Sequence, residues 1–405
     1  GYAGFLEALV GTPLPRRYLL LFQNSSELRP TGGFPGTYGI VTFQNGQLKD
    51  FSVDDIYNLD GQLRDLIVPP LQLQHITPNW ALRDVSWFID FPTSAKKVMS
   101  FFRKEAGYDV DGVITVNPKL VSDILGIIGP ISMPEYNLTL NSDNFLAEVQ
   151  AEVEYGTNKE QDKPKQIVTD LAPRLLLKLY SADQDRWLKV LQIFTGALER
   201  KDILMYFRDA QLERFVTERG FAGQIVQPSS DYLMVTLSNI KGSKTDAVID
   251  SSVRQETSFG DGLVTHTLTI TRRHNGGRDR YGFYNRQSPA YVRVLVPDGA
   301  ELTGISGNTK ISFSPLMDYA KMDFLRDPDL VTLEGTYRVD PSKSVTIYRE
   351  SGKTGFGFWM VTDPGEIKTV ELVYTVPAPL TPGYALYVQK QPGLDLSNFE
   401  FALRP

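Results

Sequence analysis

The chain has 405 residues, 41% of them hydrophobic, with 42 basic against 48 acidic side chains and a net charge of −6. That length and apolar content give real cores in two or three domains, and the mild acidity excludes a nucleic-acid binder held by bulk charge. The absence of cysteine and the scatter of three histidines (His75, His266, His274) exclude zinc–thiolate sites, cysteine nucleophiles, disulfides and a clustered-histidine metal centre.

The opening GYAGFLEALV places Phe5, Leu6, Leu9 and Val10 at helical spacing. It reads as the end of a helix that begins upstream, which leaves room for a membrane anchor outside this sequence. No apolar run within it approaches the roughly 18 residues that span a bilayer. Tyr18 to Phe22 then form a buried strand, which opens into the polar segment Asn24 to Glu27 and ends in Arg29, Pro30, Thr31, Gly32 and Gly33. A buried strand leading into an Arg- and Gly-bearing loop is a common way to present a functional group at a sheet's end. Thr37 to Phe43 is a second strand, Asn45-Gly46 a hairpin signal, and Gln47 to Val53 a third strand. This third strand delivers Asp54 and Asp55 to its end, with Asp60-Gly61 just beyond.

A loop containing Pro69, Pro70 and Pro78 leads to Trp80, Arg83, Asp84, Trp87 and Asp90, where the tryptophans read as packing anchors. Thr93 is expected to cap a helix whose inner face carries Val98, Phe101 and Phe102 and which stops at Gly107. A strand over Asp111 to Val116 precedes a helix capped by Asn117 with Pro118 at its first position, and Gly129-Pro130 leads into a short strand. From Ser142 to about Gly220 the chain reads as mainly helical, with Pro173 as a kink, Ile203 to Phe207 as a strand and Asp209 as a cap. After Pro228 short alternating runs take over, such as DYLMVTL, VTHTLTIT, AYVRVLV and TVELVYTV. The expected architecture is α+β and multidomain. Residues 1–228 form an α/β domain, a mixed sheet flanked by helices with a helical segment at 142–220, and residues 229–405 form an all-β sandwich.

Familiar enzyme signatures fail. Glu350 to Thr354 has the ending of a phosphate-binding loop, but Ile347 stands where its first glycine is required. Gly32, Gly33, Gly36 and Gly39 lead into a strand and not the helix of a dinucleotide site, so no nucleotide is expected. What remains is a constellation: Arg29 after the first strand, Asp54, Asp55 and Asp60 after the third, and Arg83, Asp84 and Asp90 in the tryptophan-flanked loop. Arginine pairs bidentately with phosphate, and clustered carboxylates suit Mg2+ or another hard divalent cation and not zinc. An Arg–Asp network that merely ties loops together is the alternative.

YLLLFQNSSELRPTGGF, SVDDIYNLDG, LRDVSWFIDFPTSA and DVDGVITV resemble signature segments of the bacterial family DUF4012, as does PGYALYVQKQPG near the end. Residues 18–200 also resemble, more distantly, the LytR–CpsA–Psr glycopolymer transferases, with DGVITVNPKLVSDILGIIGPISMP in register. This chain has Asn24 where those enzymes carry an aspartate, Asp54-Asp55 where they carry Arg-Asp, and Lys159, Lys163 and Lys165 where they carry arginines. The resemblance implies an extracytoplasmic protein of the bacterial cell surface, anchored by an upstream membrane helix. Its partner would be a polyprenyl-diphosphate lipid or cell-wall glycopolymer, bound and in one reading transferred. Arg29, Arg83, Thr31, Gly32 and Gly33 would bind the ligand, Asp54, Asp55 and Asp84 would take catalytic roles, and Asp54, Asp55 and Asp60 would hold the metal. The competing reading is a non-catalytic adhesion or scaffold module.

Overall fold

The computed structural model describes residues 2–156, 158, 163–377 and 383–404. It divides into two compact units. The first comprises residues 1–24, 31–64 and 81–224; the second comprises 25–30, 65–80 and 225–405. Sequence periodicity placed a single change of character at 228. The units divide at Gln224, and two stretches from the first half of the chain belong to the second unit.

In the first unit the strands are β1 (Arg16–Asn24), β2 (Phe34–Gln44), β3 (Gln47–Asp55), β4 (Gly112–Val116), β5 (Ile131–Met133), β6 (Leu138–Leu140) and β7 (Ile203–Phe207). The main sheet is mixed, in the order β3-β2-β1-β4-β7, with β1 parallel to β4 and the other pairs antiparallel. The helices are α1 (Tyr2–Leu9), α2 (Ile56–Asp60), α3 (Phe91–Ala106), α4 (Lys119–Ile128), α5 (Phe145–Tyr155), α6 (Gln166–Tyr180), α7 (Gln184–Glu199) and α8 (Ala210–Glu218). The N-terminal region is therefore the expected mixed sheet flanked by helices. Among the described residues no helix is long and apolar enough to cross a membrane.

Local chemistry accounts for most of these bounds. Asn45 and Gly46 take φ of 49° and 76°, so the β2–β3 turn has the doubly left-handed geometry whose twist matches that of the strands it joins. Asp90, and not Thr93, caps α3: its carboxylate accepts from Thr93 N at 3.1 Å and Thr93 Oγ1 at 2.7 Å. Carboxylate outcompetes hydroxyl here because it can take both donors and complements the helix dipole. Asn117 Oδ1 accepts from Lys119 N at 3.0 Å at the start of α4. Pro173 lies within the continuous helix α6.

The second unit contains β8 (Asp231–Asn239), β9 (Ile249–Gly260), β10 (Leu263–His274), β11 (Ser288–Pro297), β12 (Glu301–Ser306), β13 (Arg338–Asp340), β14 (Val345–Glu350), β15 (Lys353–Thr362), β16 (Ile367–Pro377), β17 (Leu386–Val388), β18 (Phe399–Leu403) and the α-helix α9 (Pro328–Glu334). One sheet runs β12-β16-β10-β9-β18 and the other β13-β14-β15-β11-β8-β17. Val253, Leu268 and Leu372 of the first pack with Val235, Val294 and Phe356 of the second in one core, the interior of a β-sandwich. Leu28, from the stretch 25–30, belongs to this core. The segment ESGKTG, whose ending looked like a phosphate loop, is the β14–β15 hairpin, turned at Ser351 (φ 50°) and Gly352 (φ 73°).

Candidate functional site

The end of β3 organises the site. Asp54 and Asp55 close the strand, and Asp55 caps α2 by accepting from Tyr57 N at 3.0 Å. Asp54 Oδ1 accepts from Asp55 N at 2.7 Å and from Asn58 Nδ2 at 2.8 Å. The short helix then presents a half-exposed Tyr57. Lys165, at the start of α6, lies 2.7 Å from Asp55 Oδ1 and also donates to the Gly36 carbonyl. Its ammonium sits 4.7 Å from the Tyr57 ring centre, and the Arg83 guanidinium carbon sits 5.3 Å from the same ring. One aromatic ring thus gathers two cations that are far apart in sequence.

Behind Arg83 lies a buried carboxyl pair. Arg83 Nη1 meets Asp60 Oδ2 at 2.7 Å, and its Nε meets Asp84 Oδ2 at 3.4 Å. Asp60 Oδ1 and Glu105 Oε2 are both buried with no hydrogen-bond partner among the described residues, while Glu105 Oε1 accepts from Leu82 N at 3.2 Å. Burial, followed by the Asp60 charge, pushes the Glu105 carboxyl up to about 8. Burial also raises Asp60, against the pull of Arg83. Each carboxyl therefore holds its proton more tightly than a free one, Glu105 most clearly. Residue type and spacing in the sequence did not single out Glu105. The available signal was a charged residue in step with Phe101 and Phe102 on the apolar face of α3.

The residues named from sequence separate as follows. Asp54, Asp55, Asp60, Arg83 and Asp84 lie in the first unit, around Tyr57 and Lys165. Asp54, Asp55 and Asp60 each engage different partners, and among the described residues no group of three or more Asp, Glu or His is placed to hold a metal ion. Thr31 is buried and bonded to Gln23, whose Nε2 donates to Thr31 Oγ1 at 2.9 Å. Gly32 and Gly33 are buried beside it, with Gly32 at φ 139°. Asn24 accepts from Gln150 Nε2 at 3.3 Å. Asp90 is the α3 cap. Lys163 is exposed, and Lys159 lies outside the described residues.

Arg29, expected to bind a ligand beside Arg83, belongs to the second unit and is only 4% exposed, with its guanidinium already engaged there. Its Nη1 donates to the carbonyls of Asn239 and, at 3.1 Å, Leu28; its Nη2 lies 3.5 Å from Glu27 Oε1. Gln391 Nε2 donates to the Arg29 carbonyl at 2.9 Å. These contacts tie a loop to the end of β8. Trp80 and Trp87 are fully buried, as packing anchors are.

Among solved structures, the chain is similar to protein gbs0355 from Streptococcus agalactiae (13% identity, 52% of this chain and 73% of that one, TM-score 0.32). It is similar to Lin1025 from Listeria innocua (14%, 54% and 85%, 0.24) and to the transcriptional regulator yvhJ from Bacillus subtilis (16%, 52% and 98%, 0.24). With TM-scores this low, these likenesses carry no argument about activity. No curated protein matches the chain. Over residues 14–153, which contain every first-unit site residue except Lys165, the chain matches the family DUF4012, described as a protein of unknown function.

Proposed function

We propose that the first unit binds an anionic ligand of the bacterial cell wall, a glycopolymer or its polyprenyl-diphosphate-linked form, at the outward side of the cell membrane. The observation that carries this reading is the convergence of Lys165 and Arg83 on the half-exposed ring of Tyr57. Both cations are held by carboxylates, so their positions are set before a ligand arrives, which lowers the entropy lost on binding. A planar guanidinium takes a phosphate with two parallel hydrogen bonds, while the ammonium adds a point charge. Transfer would need a proton acceptor. Of the carboxyls in this cluster, Asp55 beside Lys165 and Asp84 beside Arg83 stand next to the cations and are the candidates for that role.

A second reading, a non-catalytic adhesion or scaffold module, is favoured by one observation. Lys165 already meets Asp55 at 2.7 Å, and Arg83 meets Asp60 at 2.7 Å and Asp84 at 3.4 Å. Titration with farnesyl diphosphate by calorimetry separates the two. The binding reading expects measurable affinity that falls about tenfold in Arg83→Lys and in Lys165→Met. Absence of binding, or an affinity that neither substitution changes, leaves the scaffold reading in place.

A further inference from the structure

The second unit has a cavity of about 560 Å³, lined by none of the residues around Tyr57. Its charge is one-sided. Lys241 and Arg286 line it, and no acidic residue does. Both side chains are exposed, and among the described residues neither has an ion pair or side-chain hydrogen bond. This sets them apart from Arg272 and Arg293 of the same unit, which are buried and paired with Asp246 and Glu350. Lys241 is close enough to His75 that, after burial, its charge is the next cause holding that imidazole neutral.

The opposite chemistry lies alongside. The rings of His75 and Phe313 stack 3.8 Å apart at 8°, and Trp359 meets Phe313 edge-on at 4.9 Å. Ile240 and Ile311 complete an apolar lining. Backbone bonds fix the walls: Ile240 N donates to Pro289 O at 2.9 Å, Leu316 N to Gln74 O at 2.8 Å and Thr309 N to Trp359 O at 2.8 Å. The buried ring of His274 holds the Arg286 carbonyl at 2.8 Å. The cavity is therefore a built site with two uncompensated cations next to a flat aromatic wall, in the size range that takes a small ligand.

We propose that this cavity binds an anionic sugar, its phosphate or carboxylate between Lys241 and Arg286 and its ring against Phe313. Cations without a carboxylate partner are available for charge-assisted hydrogen bonds to an anion. An aromatic face beside them favours a ligand with an apolar C–H surface over a bare inorganic ion. The choice of a sugar over other organic anions rests on the cell-wall reading above; the anion site itself does not.

The test uses the full 405-residue chain. Calorimetry compares N-acetylglucosamine 1-phosphate, glucuronic acid, neutral N-acetylglucosamine and inorganic phosphate. At least one of the two anionic sugars should bind, and which one identifies the anionic group. Lys241→Ala and Arg286→Ala should each weaken it about tenfold with an unchanged melting temperature, since both side chains are exposed. Phe313→Ala should weaken the sugar and leave inorganic phosphate unaffected. Lys165→Met, which disables the first-unit site, should leave this binding intact, so the two proposals fail separately. No binding by either anionic sugar at millimolar concentration overturns the inference. So does full affinity in the Lys241→Ala/Arg286→Ala double variant, or equal binding of the neutral sugar or of phosphate alone.

Discussion

The ammonium of Lys165 lies 2.7 Å from the carboxylate of Asp55, 110 residues earlier in the chain. The pair fastens the start of α6 to the end of β3, and both side chains are largely buried, at 13% and 14% exposure. An ion pair in that setting is screened less than one on the surface, and removing one partner strands the other. Lys165→Met and Asp55→Asn should each lower stability by about 1–3 kcal/mol. The double variant should lose less than the sum, by about 0.5–3 kcal/mol of coupling. Additive losses in urea titrations would show that the two groups do not interact.

Glu105 gives the first unit a pH dependence of definite sign. Its carboxyl is raised from 4.5 to about 8 in the fold by burial and then by Asp60. The folded state therefore holds a proton that the unfolded chain has released. This contribution is complete below about pH 4.5, declines as pH rises, and is gone above about 8, with a slope of at most about 1.4 kcal/mol per pH unit. Glu105→Gln keeps an acceptor for Leu82 N and has no proton to release. It should flatten stability between pH 5 and 8 and make the protein more stable than the parent at pH 8. An unchanged slope in thermal melts across that range would contradict a proton held on Glu105.

Arg29 is expected to behave as a structural tie. Arg29→Lys cannot keep both the Nη1 bonds to Leu28 O and Asn239 O and the Nη2 contact with Glu27, and should destabilise the second unit by about 1.5–3 kcal/mol, with Arg29→Ala worse. Affinity for a diphosphate at the Tyr57 cluster should hold. The same contacts imply that residues 229–405 expressed alone do not melt cooperatively, because that fragment lacks Leu28 and the stretch 65–80. A sharp calorimetric transition from the fragment would show that the sandwich needs neither.

Gly357, inside β15, makes room for a ring on the neighbouring strand. A Cβ there would sit 2.2 Å from Tyr291 Oη. Gly357→Ala should cost about 1–3 kcal/mol through overpacking, and Tyr291→Phe in the same chain should recover part of it. If the single substitution leaves the melting temperature unchanged, the packing is looser than these distances require.

Local chemistry in the sequence was enough to determine the elements. The apolar run Leu19 to Phe22, the Asn45-Gly46 turn and the alternation in VTHTLTIT each encode their own geometry, because strand period and left-handed turn preference act over a few residues. Where local rules compete, the sequence misled. Thr93 lost the cap to Asp90 because the carboxylate two positions before Pro92 could take both donors. In the strand β15, Gly355 and Gly357 lower strand propensity, and the tyrosine rings opposite explain them.

Tertiary structure alone decided the partners. Nothing within Arg29-Pro30-Thr31-Gly32-Gly33 says that the chain passes into the second unit at Ser25 and returns at Thr31. Nothing near Tyr57 announces Lys165, or pairs Asp60 with Glu105. A side chain's charge is written in the sequence; the group that compensates it, and so its proton affinity and its availability to a ligand, is set by which distant segments packing brings within about 4 Å.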